Sequence, residues 1–329
     1  MLSVDEALSG LLRSAAPVAE VDWLPTLAAD GRVLAQAQRA TIDAPPLDNS
    51  AMDGYALAVA DVPCPGARLP VSQRIQAGSV GTTLQPGTAA RIFTGAPIPA
   101  GADAVVMQEL CQHTGDAVLI NHQPKVGDHI RRTGSDIATG SEILAAGQRL
   151  RPQDTALAAS VGIAQLSVFR RLRVAVLFTG DELRMPGQPL SAGAIYNTNR
   201  FLLTGLLERL GCEVRDRGQV PDDLVATRQA LREAAHDNDL ILTSGGVSVG
   251  DEDHVKAAVD AEGRLEMWKI AIKPGKPLAF GQISSPGGDV ALEPQDDDGE
   301  ESFGPIAYLA DDTTEPTRRM EALQRDWLQ

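Results

Sequence analysis

The chain has 329 residues, of which 43% are hydrophobic and 22% are charged, and this ordinary globular composition excludes wholesale disorder. Its length predicts about two or three domains rather than one. The formal net charge is −15, from 44 acidic and 29 basic residues. This balance argues against a nucleic-acid partner, because such binding needs a basic surface that neutralises phosphates.

The N-terminal region and the cysteines exclude several other protein classes. The longest apolar runs are far shorter than the ~18 residues that a membrane span requires. Asp5 and Glu6 interrupt the segment where a signal peptide would be apolar, whereas Ser3 and Glu6 form a capping-box pattern at the start of a helix. The three cysteines form no CxxC pair, so neither a disulfide framework nor a zinc site is indicated. We expect a cytoplasmic protein that does not bind membranes.

The first half of the chain is typical of a β-rich domain. Residues 45–140 are rich in Gly, Pro and Thr, and short strand-like pieces such as 117–120 alternate with turn signals. The flanking segments, 21–44 and 141–167, contain short apolar runs and a predicted helix at 153–161. We interpret the two flanking segments as one small linking domain.

From about residue 168 the chain alternates between strands and helices. The predicted strands are 173–178, 212–218, 239–243 and 264–272, and the predicted helices are 199–210, 222–236 and one from about 253. This spacing predicts an α/β domain with a doubly wound, mostly parallel sheet, formed by residues 168–283 together with the helix in residues 1–20. Ligands of such sheets bind beyond the carboxyl ends of the strands, which here means the loops 179–183, 244–252 and 273–277.

The loop at 244–250, with the sequence SGGVSVG, lies between a predicted strand and a predicted helix. Its glycines let backbone N–H groups approach an anionic ligand, and the helix N-terminus adds positive potential, although an ordinary tight turn is the alternative. The loop also fits the nucleophile elbow of serine hydrolases around Ser248. The only histidine after Ser248 is His254, so the serine-hydrolase hypothesis is poor.

Lysines and carboxylates fall in the loops at the same predicted edge of the sheet. Three of only five lysines, Lys269, Lys273 and Lys276, lie close together around a proline-stiffened loop. Ammonium groups held in this way suit a phosphate or another oxyanion, and a solvated surface loop is the alternative. The acids are Asp181, Glu182, Asp222, Asp223, Asp251 and Asp253. Taken singly, an acid at such a position is usually a helix cap. Together, beside an anion site, these acids would suit Mg²⁺.

The β-rich region has three polar loops punctuated by glycine, at 48–56, 91–97 and 131–137. Their spacing alone assigns them no ligand. The histidines His113, His122 and His129 match no metal-ligand spacing.

Five motifs, in this order, resemble those of a known family. They are DNSAMDGYA at 48–56, IFTGAP at 92–97, TGDEL at 179–183, SGGVSVG at 244–250 and IKPGKPLAFG at 272–281. In these motifs the chain is similar to the molybdopterin molybdenumtransferases, which include the bacterial MoeA proteins and the gephyrin E domain. The resemblance implies a sheet domain of the molybdopterin-binding type and the insertion of molybdate into adenylylated molybdopterin, with release of AMP and with Mg²⁺ as cofactor. It also implies a homodimer, an active site between the sheet domain of one subunit and the β-rich domain of the other, and a link to the molybdopterin adenylyltransferase.

The resemblance also implies roles for individual residues. The catalytic residues it implies are Asp53, Thr94, Asp136, Glu182, Lys273 and Lys276. The residues it implies for binding the molybdopterin substrate are Asp222, Ser244, Gly245, Gly246, Ser248, Asp253 and Pro277. The metal ligands it implies are Glu182, Asp222 and Asp253.

The C-terminal region departs from the family. Past Gly281 the family continues into an LPGNPVS-type loop and a β-barrel domain, and residues 282–329 resemble neither. We expect residues 284–329 to be an acidic, mostly disordered tail of little importance for stability, with one short strand-like segment at 303–309. A second hypothesis is therefore a catalytically impaired molybdopterin-binding module.

Overall fold

The computed structural model divides the chain into two compact units. The first contains Met1–Glu20 and Arg170–Gln329, and the second contains Val21–Phe169. We call them the α/β unit and the β-rich unit. The structure describes residues 2–246, 254–268, 271, 278–284 and 303–309, with the backbone alone at 267–268 and 303–309.

The described residues form five helices near the positions predicted from the sequence. They are α1 (Val4–Ser14), α2 (Pro152–Ser160), α3 (Thr198–Arg209), α4 (Leu224–Asp237) and α5 (His254–Glu262). The capping box of α1 is confirmed, because the N–H of Glu6 donates to Ser3 Oγ at 3.2 Å and the N–H of Ser3 donates to Glu6 Oε2 at 2.7 Å. None of the described helices has the length and apolar character needed to cross a bilayer.

The β-rich unit contains twelve described strands. They are β1 (Val21–Pro25), β2 (Gln38–Arg39), β3 (Asn49–Ser50), β4 (Gly54–Leu57), β5 (Ala67–Ile75), β6 (Ala89–Ile92), β7 (Ala104–Met107), β8 (Cys111–Thr114), β9 (Ala117–Ile120), β10 (Ile130–Arg131), β11 (Glu142–Leu144) and β12 (Gln165–Phe169). Six form one sheet in the order β7-β4-β6-β5-β9-β8, in which only β5 and β6 are parallel. Apolar side chains cover both faces of this sheet: Tyr55 and Leu57 are buried in one cluster and Ala56 in the other. The predicted β-rich region is confirmed.

A second core of this unit joins the two segments that flank the β-rich sheet in sequence. Strand β1 pairs with β12 and β2 pairs with β11, both antiparallel. Leu34, Leu150 and Leu166 are buried together in this core. The register of β1 and β12 places Val21 opposite Phe169, so the first and last residues of the unit are paired. Next to them, the N–H of Arg170 donates to the carbonyl of Glu20 at 3.0 Å within the α/β unit.

The α/β unit contains eight described strands. They are β13 (Arg173–Thr179), β14 (Leu183–Arg184), β15 (Ile195–Tyr196), β16 (Glu213–Val220), β17 (Leu240–Ser244), β18 (Gly263–Trp268), β19 (Ala279–Ser284) and β20 (Phe303–Leu309). Six form a sheet in the order β16-β13-β17-β20-β19-β18. The first four strands in this order are mutually parallel, and β19 is antiparallel to both of its neighbours. The predicted α/β fold with a mostly parallel sheet is confirmed.

Helices pack on the sheet because buried strands such as β13 carry apolar side chains on both faces. Leu231 of α4 and Val255 of α5 are buried in the same cluster as Leu177. Leu203 of α3 is buried in another cluster, with Phe178. The carboxyl ends of β13 and β17 are adjacent, since Phe178 is registered with Ser244.

The tail contains one segment that the structure describes beyond residue 284. Residues 303–309 form β20, which pairs with β17 on one side and β19 on the other. The strand-like segment predicted at 303–309, within a tail otherwise expected to be mostly disordered, is therefore confirmed. The backbone N–H and C=O groups of this segment pair with two neighbouring strands, and the composition of the tail does not reveal this pairing. The rest of the predicted tail beyond residue 284 lies outside the described residues.

Candidate functional site

A pocket of the α/β unit lies where β13 and β17 end. It is lined by Thr179 at the end of β13, by Glu182 and Leu183 just after it, by Ser244 and Gly245 at the end of β17, and by residues 195–199, which lead from β15 into α3. Ligands of open α/β sheets bind in this position. The structure therefore brings together three residues that the sequence assigned to the site, namely Glu182, Ser244 and Gly245.

The two glycines after β17 allow the loops after β13 and β17 to approach closely. A Cβ on Gly245 would lie 2.5 Å from the carbonyl oxygen of Thr179, and a Cβ on Gly246 would lie 2.8 Å from Thr179 Oγ1. Both glycines also have positive φ values, 93° and 73°, which side chains disfavour. Any larger residue would push these two loops apart and change the wall of the pocket.

Two hydroxyl groups in the pocket wall have different environments. Thr179 Oγ1 is buried and has no hydrogen-bond partner among the described residues, an arrangement that costs free energy unless a ligand or water satisfies it. Ser244 is buried, and its Oγ accepts a hydrogen bond from Asn199 Nδ2 at 2.8 Å. Asn199 thus fixes the orientation of the Ser244 side chain.

The N-terminus of α3 forms the opposite wall of the pocket. Asn197 caps the helix, because its side chain accepts a hydrogen bond from the N–H of Arg200 at 3.1 Å. The N-terminus of a helix favours a negatively charged ligand. Sequence reasoning missed Asn197, Thr198 and Asn199 as pocket residues, although an Asn immediately before a leucine-rich helix is a readable N-cap signal.

Asp181 and Asp222, two acids in adjacent loops, are joined by hydrogen bonds from the backbone N–H of each to the carboxylate of the other. The N–H of Asp181 donates to Asp222 Oδ2 at 3.0 Å, and the N–H of Asp222 donates to Asp181 Oδ1 at 3.4 Å. Their proximity follows from the register of β13 and β16, which places Thr179 opposite Val220. The predicted site acid Asp222 is therefore paired with Asp181, which belongs to the acids predicted at this edge of the sheet but not to the metal ligands that the resemblance implies.

Glu182 lies beside the same loop, with its carboxylate folded over Gly180. A Cβ on Gly180 would lie 2.7 Å and 2.9 Å from the two carboxylate oxygens. Within the described residues, no group of three or more His, Cys, Asp or Glu side chains is close enough to hold a metal ion. The predicted ligand set of Glu182, Asp222 and Asp253 stays a prediction, because Asp253 lies outside the described residues.

Other predicted site residues also lie outside the described part of the chain. They are Ser248, Lys273, Lys276 and Pro277. Their predicted contribution to an anion site is not tested by the geometry.

In the β-rich unit, Asp53 and Thr94 form one hydrogen-bonded pair. Asp53 Oδ1 accepts bonds from both the N–H and the Oγ1 of Thr94, each at 2.8 Å. Strand β4 begins just after Asp53 and β6 ends just before Thr94, and the two strands are antiparallel, so their ends meet. The backbone N–H of Thr94, and then its hydroxyl, lower the pKa of Asp53. Asp53 is thus held as a carboxylate.

Asp136 lies in the loop that follows β10. Arg131 Nη2 donates to Asp136 Oδ2 at 2.5 Å. Strand β10, which contains Arg131, pairs with β3, and β3 also bridges to Pro97 of the loop after β6. The structure therefore brings the loops of Asp53, Thr94 and Asp136 together around β3, and their role in a site stays a prediction.

A wider groove in the α/β unit lies elsewhere. It has a volume of about 790 Å³ and runs along α1, with Asp5, Glu6, Arg13 and Glu266 in its walls. None of the predicted site residues within the described ranges lines it. We give the smaller pocket precedence because it contains the predicted residues and a buried hydroxyl without a partner.

Comparisons with known protein families match nearly the whole described chain. Residues 2–162 match the family described as "MoeA N-terminal region (domain I and II)". Residues 175–294 match the family described as "Probable molybdopterin binding domain". The two matches cover the β-rich unit and most of the α/β unit.

Curated relatives and solved structures agree with these matches. The chain is 42% identical over 287 residues to a molybdopterin molybdenumtransferase of Haemophilus influenzae, covering 87% of this chain and 71% of the relative. It is 40% identical to molybdopterin molybdenumtransferase 2 of Mycobacterium tuberculosis, covering 86% of this chain and 73% of the relative. A crystal structure of the molybdopterin biosynthesis MoeA protein of Pyrococcus horikoshii OT3 is similar with a TM-score of 0.75 at 30% identity, covering 94% of this chain and 74% of that chain.

Proposed function

The chain belongs to the molybdopterin molybdenumtransferase family, enzymes of molybdenum cofactor biosynthesis, and from this we propose that it inserts molybdenum from molybdate into adenylylated molybdopterin and releases AMP. The observation that carries the proposal is the pocket at the ends of β13 and β17. It combines the carboxylate of Glu182, the close-packed loop at Gly245 and the N-terminus of α3. The glycine loop and the helix N-terminus suit a phosphate group, and the Glu182 carboxylate suits a cation that accompanies it.

The proposed reaction breaks the phosphoanhydride bond between the molybdopterin phosphate and AMP. The two dithiolene sulfurs bind molybdenum while one molybdate oxygen leaves as water with the two thiol protons. Water or a molybdate oxygen is the nucleophile at phosphorus. In this scheme the pocket orients the molybdopterin portion, and the N-terminus of α3 offsets negative charge on its phosphate. Asp53, held ionised by Thr94, serves as an acceptor for a proton or a polar group of the substrate.

We propose Mg²⁺ as the cofactor, held by Asp181 and Asp222. The donor set fits, because Mg²⁺ prefers oxygen ligands and is usually bound through one or two carboxylates, with waters and substrate phosphates completing the octahedron. The hydrogen bonds between the two residues keep both carboxylates in the same place. When bound, the ion would neutralise charge on the phosphoanhydride.

The test is the reaction of the purified chain with adenylylated molybdopterin, molybdate and Mg²⁺, with AMP measured by chromatography and molybdenum cofactor measured by reconstitution of an apo-enzyme. We expect AMP release that depends on both molybdate and Mg²⁺. AMP release no faster than in a protein-free blank would reject the proposal. Glu182→Gln should slow the reaction, whereas Glu208→Gln, the same change on the exposed face of α3, should leave the rate unchanged.

A second candidate, a binding module without turnover, is favoured by one feature of the sequence. Residues 295–329 lie beyond both family matches, and residues 282–329 contain no LPGNPVS-type loop. Calorimetry with adenylylated molybdopterin distinguishes the candidates, because the module would bind the ligand without releasing AMP. No binding would reject both.

We also propose that the chain acts as a cytoplasmic homodimer in which each active site takes residues from both subunits. None of the three cysteines, all of which lie in the described part of the chain, forms a disulfide, which suits a reducing compartment. Mixing an Asp53→Ala chain with an Asp222→Asn chain should restore part of the activity only if sites are shared between subunits. Light scattering gives the oligomeric state. The enzyme that adenylylates molybdopterin is the proposed functional partner, since it must supply the substrate.

A further inference from the structure

Arg91 lies on the same face of the β-rich sheet as the residues around Asp53. Strand β6 pairs with β4 so that Arg91 is opposite Tyr55 and Ile92 is opposite Gly54. Residues directly opposite in an antiparallel pair point to the same face, and the face alternates along each strand. Arg91 therefore reaches the end of β4 that is next to Asp53.

The Arg91 guanidinium joins two backbone segments by hydrogen bonds. Its Nη1 donates to the carbonyl of Gly54 at 2.9 Å, and its Nη2 donates to Gln108 Oε1 at 2.6 Å. The N–H of Gln108 in turn donates to the carbonyl of Asp53 at 3.0 Å. Arg91 thus fixes the peptide group after Gly54 directly, and fixes the one after Asp53 through Gln108.

The same guanidinium also contacts the segment that ends in Thr94. Its Cζ lies 4.8 Å from the centre of the Phe93 ring and 5.1 Å from that of Tyr55, within the range of cation–π attraction. Phe93 immediately precedes Thr94, so Arg91 holds both partners of the Asp53–Thr94 pair from one point. Arg74 covers Phe93 as well, at 4.6 Å, but makes no hydrogen bond to Gly54 or Gln108.

The positive charge of Arg91 is not neutralised by a carboxylate in the described part of the chain. Its two hydrogen bonds go to neutral amide oxygens, and it forms no salt bridge with a described residue. A planar fork with fixed donors suits this task, because lysine offers one flexible ammonium group instead. The side chain is therefore a brace that also carries positive charge beside Asp53.

We propose that Arg91 is a positioning residue for the transferase reaction, which sets the placement of Asp53 relative to Thr94 through Gly54, Gln108 and Phe93. The effect of Arg91 on catalysis rests on the proposed function, whereas its effect on the placement of Asp53 does not. Arg91 touches no reacting atom. It acts through the Asp53–Thr94 pair.

The test compares three variants: Arg91→Gln, Arg91→Lys and Arg74→Gln. Arg74→Gln is the matched control, because it removes a guanidinium from the same Phe93 ring without touching the hydrogen bonds around Asp53. We expect Arg91→Gln to lower kcat by roughly 10- to 100-fold, the order of effect of a misplaced catalytic group, with KM for molybdate changed less than about twofold. Arg91→Lys should recover part of kcat, and Arg74→Gln should stay within about twofold of the unsubstituted chain.

Amide hydrogen exchange gives a readout that does not need turnover. We expect Arg91→Gln to accelerate exchange at the amides of Thr94 and Gln108, which donate to Asp53, while Arg74→Gln leaves both rates unchanged. If the unsubstituted chain has no activity, the proposed function fails and exchange alone decides on Arg91. Unchanged exchange in Arg91→Gln, or faster exchange with unchanged kcat in an active enzyme, would overturn the inference. Equal losses in the Arg74 and Arg91 variants would also overturn it.

If Arg91→Gln does not yield folded protein, Arg91→Lys carries the test. The lysine variant keeps the charge but cannot bond Gly54 and Gln108 as one planar fork. Faster exchange at Thr94 and Gln108, together with lower kcat, then supports positioning. Exchange rates and a kcat equal to those of the unsubstituted chain would contradict the inference.

Discussion

Asp53 accepts two hydrogen bonds at a single oxygen from Thr94, one from the backbone N–H and one from the hydroxyl, both at 2.8 Å. An equivalent arrangement holds Asp48, whose Oδ1 accepts the N–H of Thr133 at 2.8 Å and its Oγ1 at 3.1 Å. Both carboxylates have a lowered pKa, and in both the backbone bond from the threonine is the largest cause. Only Asp53 belongs to the predicted catalytic set, so the two pairs form a natural comparison.

Thr94→Val should move the acidic limb of the pH–kcat profile to higher pH. The hydroxyl lowers the pKa of Asp53, so its removal raises that pKa, and Asp53 is then protonated at a higher pH than before. The measurement is kcat between about pH 4 and 8. Thr133→Val makes the same change at Asp48 and should leave the profile in place; an equal displacement in both variants would contradict the assignment of Asp53.

Asp222→Asn should weaken the dependence of the reaction on Mg²⁺. The amide keeps an oxygen for the N–H of Asp181 but removes one of the two carboxylate charges offered to the ion. We expect the Mg²⁺ concentration for half-maximal AMP release to rise by roughly 10-fold or more. Asp223→Asn is the control, because Asp223 caps α4 and Asn caps equally well. The same Mg²⁺ response in both variants would remove Asp222 from the metal site.

Gly245→Ala should destabilise the α/β unit more than Gly218→Ala does. Both positions have positive φ, but a Cβ on Gly245 would lie 2.5 Å from the Thr179 carbonyl oxygen, whereas a Cβ on Gly218 would meet nothing within 4 Å. The conformational strain alone is about 1–2 kcal/mol, and the backbone collision at Gly245 adds to it. Chemical denaturation gives the free energies of unfolding. Equal losses would mean that the loop at Gly245 is free to move away from Thr179.

Asp239→Asn should lower the free energy of unfolding and remove part of its dependence on pH. Asp239 accepts two bonds from Arg170 at 2.6 Å and one from the N–H of Arg173 at 2.7 Å. Burial raises the pKa of Asp239, but the hydrogen bonds from Arg170 and Arg173 outweigh it, so that the pKa is lowered overall. We expect a loss of about 2–3 kcal/mol, typical of hydrogen bonds to a charged group.

The pH dependence of this pair follows from the direction of its pKa change. The folded pKa of Asp239 is below the unfolded value of about 3.9, so its stabilising effect is complete above that pH and is lost as the pH falls through the folded pKa. Glu20→Gln is the comparison, since Glu20 binds the same guanidinium but its side chain is 64% exposed. It should cost less than about 1 kcal/mol. A larger loss for Glu20 than for Asp239 would show that exposure does not rank these two contacts.

Removing residues 303–329 should destabilise the chain strongly. The reason is the position of β20, whose loss leaves β17 and β19 without a shared neighbour in the sheet. We expect a fall in melting temperature well beyond the few degrees that correspond to about 1 kcal/mol. A chain ending at Leu309 keeps β20 and separates its contribution from that of residues 310–329. A shift of only a few degrees for the longer deletion would support the sequence-based expectation of an unimportant tail.

The sequence predicts elements whose own residues determine them, and fails for pairings over long distances. The run at 173–178 predicts a buried strand because its side chains are apolar throughout, and β13 is buried along its length. The helix predicted at 199–210 is confirmed as α3, in which Leu203 is buried, whereas Leu210, just after the helix, is 59% exposed. Periodicity shows which residues share a face of a helix but not how far the neighbouring strands cover that face.

The site shows the same division. The loops at 179–183 and 244–250 were predicted because a parallel sheet places the ends of its strands together. The pairing of Asp181 with Asp222 depends on the register of β13 against β16, and the contact of Asn199 with Ser244 depends on how α3 packs. The spacing of a motif predicts neither the register of strands nor the packing of helices. The insertion of β20 between β17 and β19 is a pairing of the same kind.

The pairing of Val21 with Phe169, beside that of Glu20 with Arg170, makes the β-rich unit an excisable insertion. The chain enters and leaves this unit at adjacent points, so residues 21–169 can be joined end to end by a short linker without stretching either terminus. The same adjacency would let Glu20 be connected to Arg170 by a few glycines, which would preserve the contacts of α1 within the α/β unit. Each unit can thereby be tested for separate expression and for circular permutation.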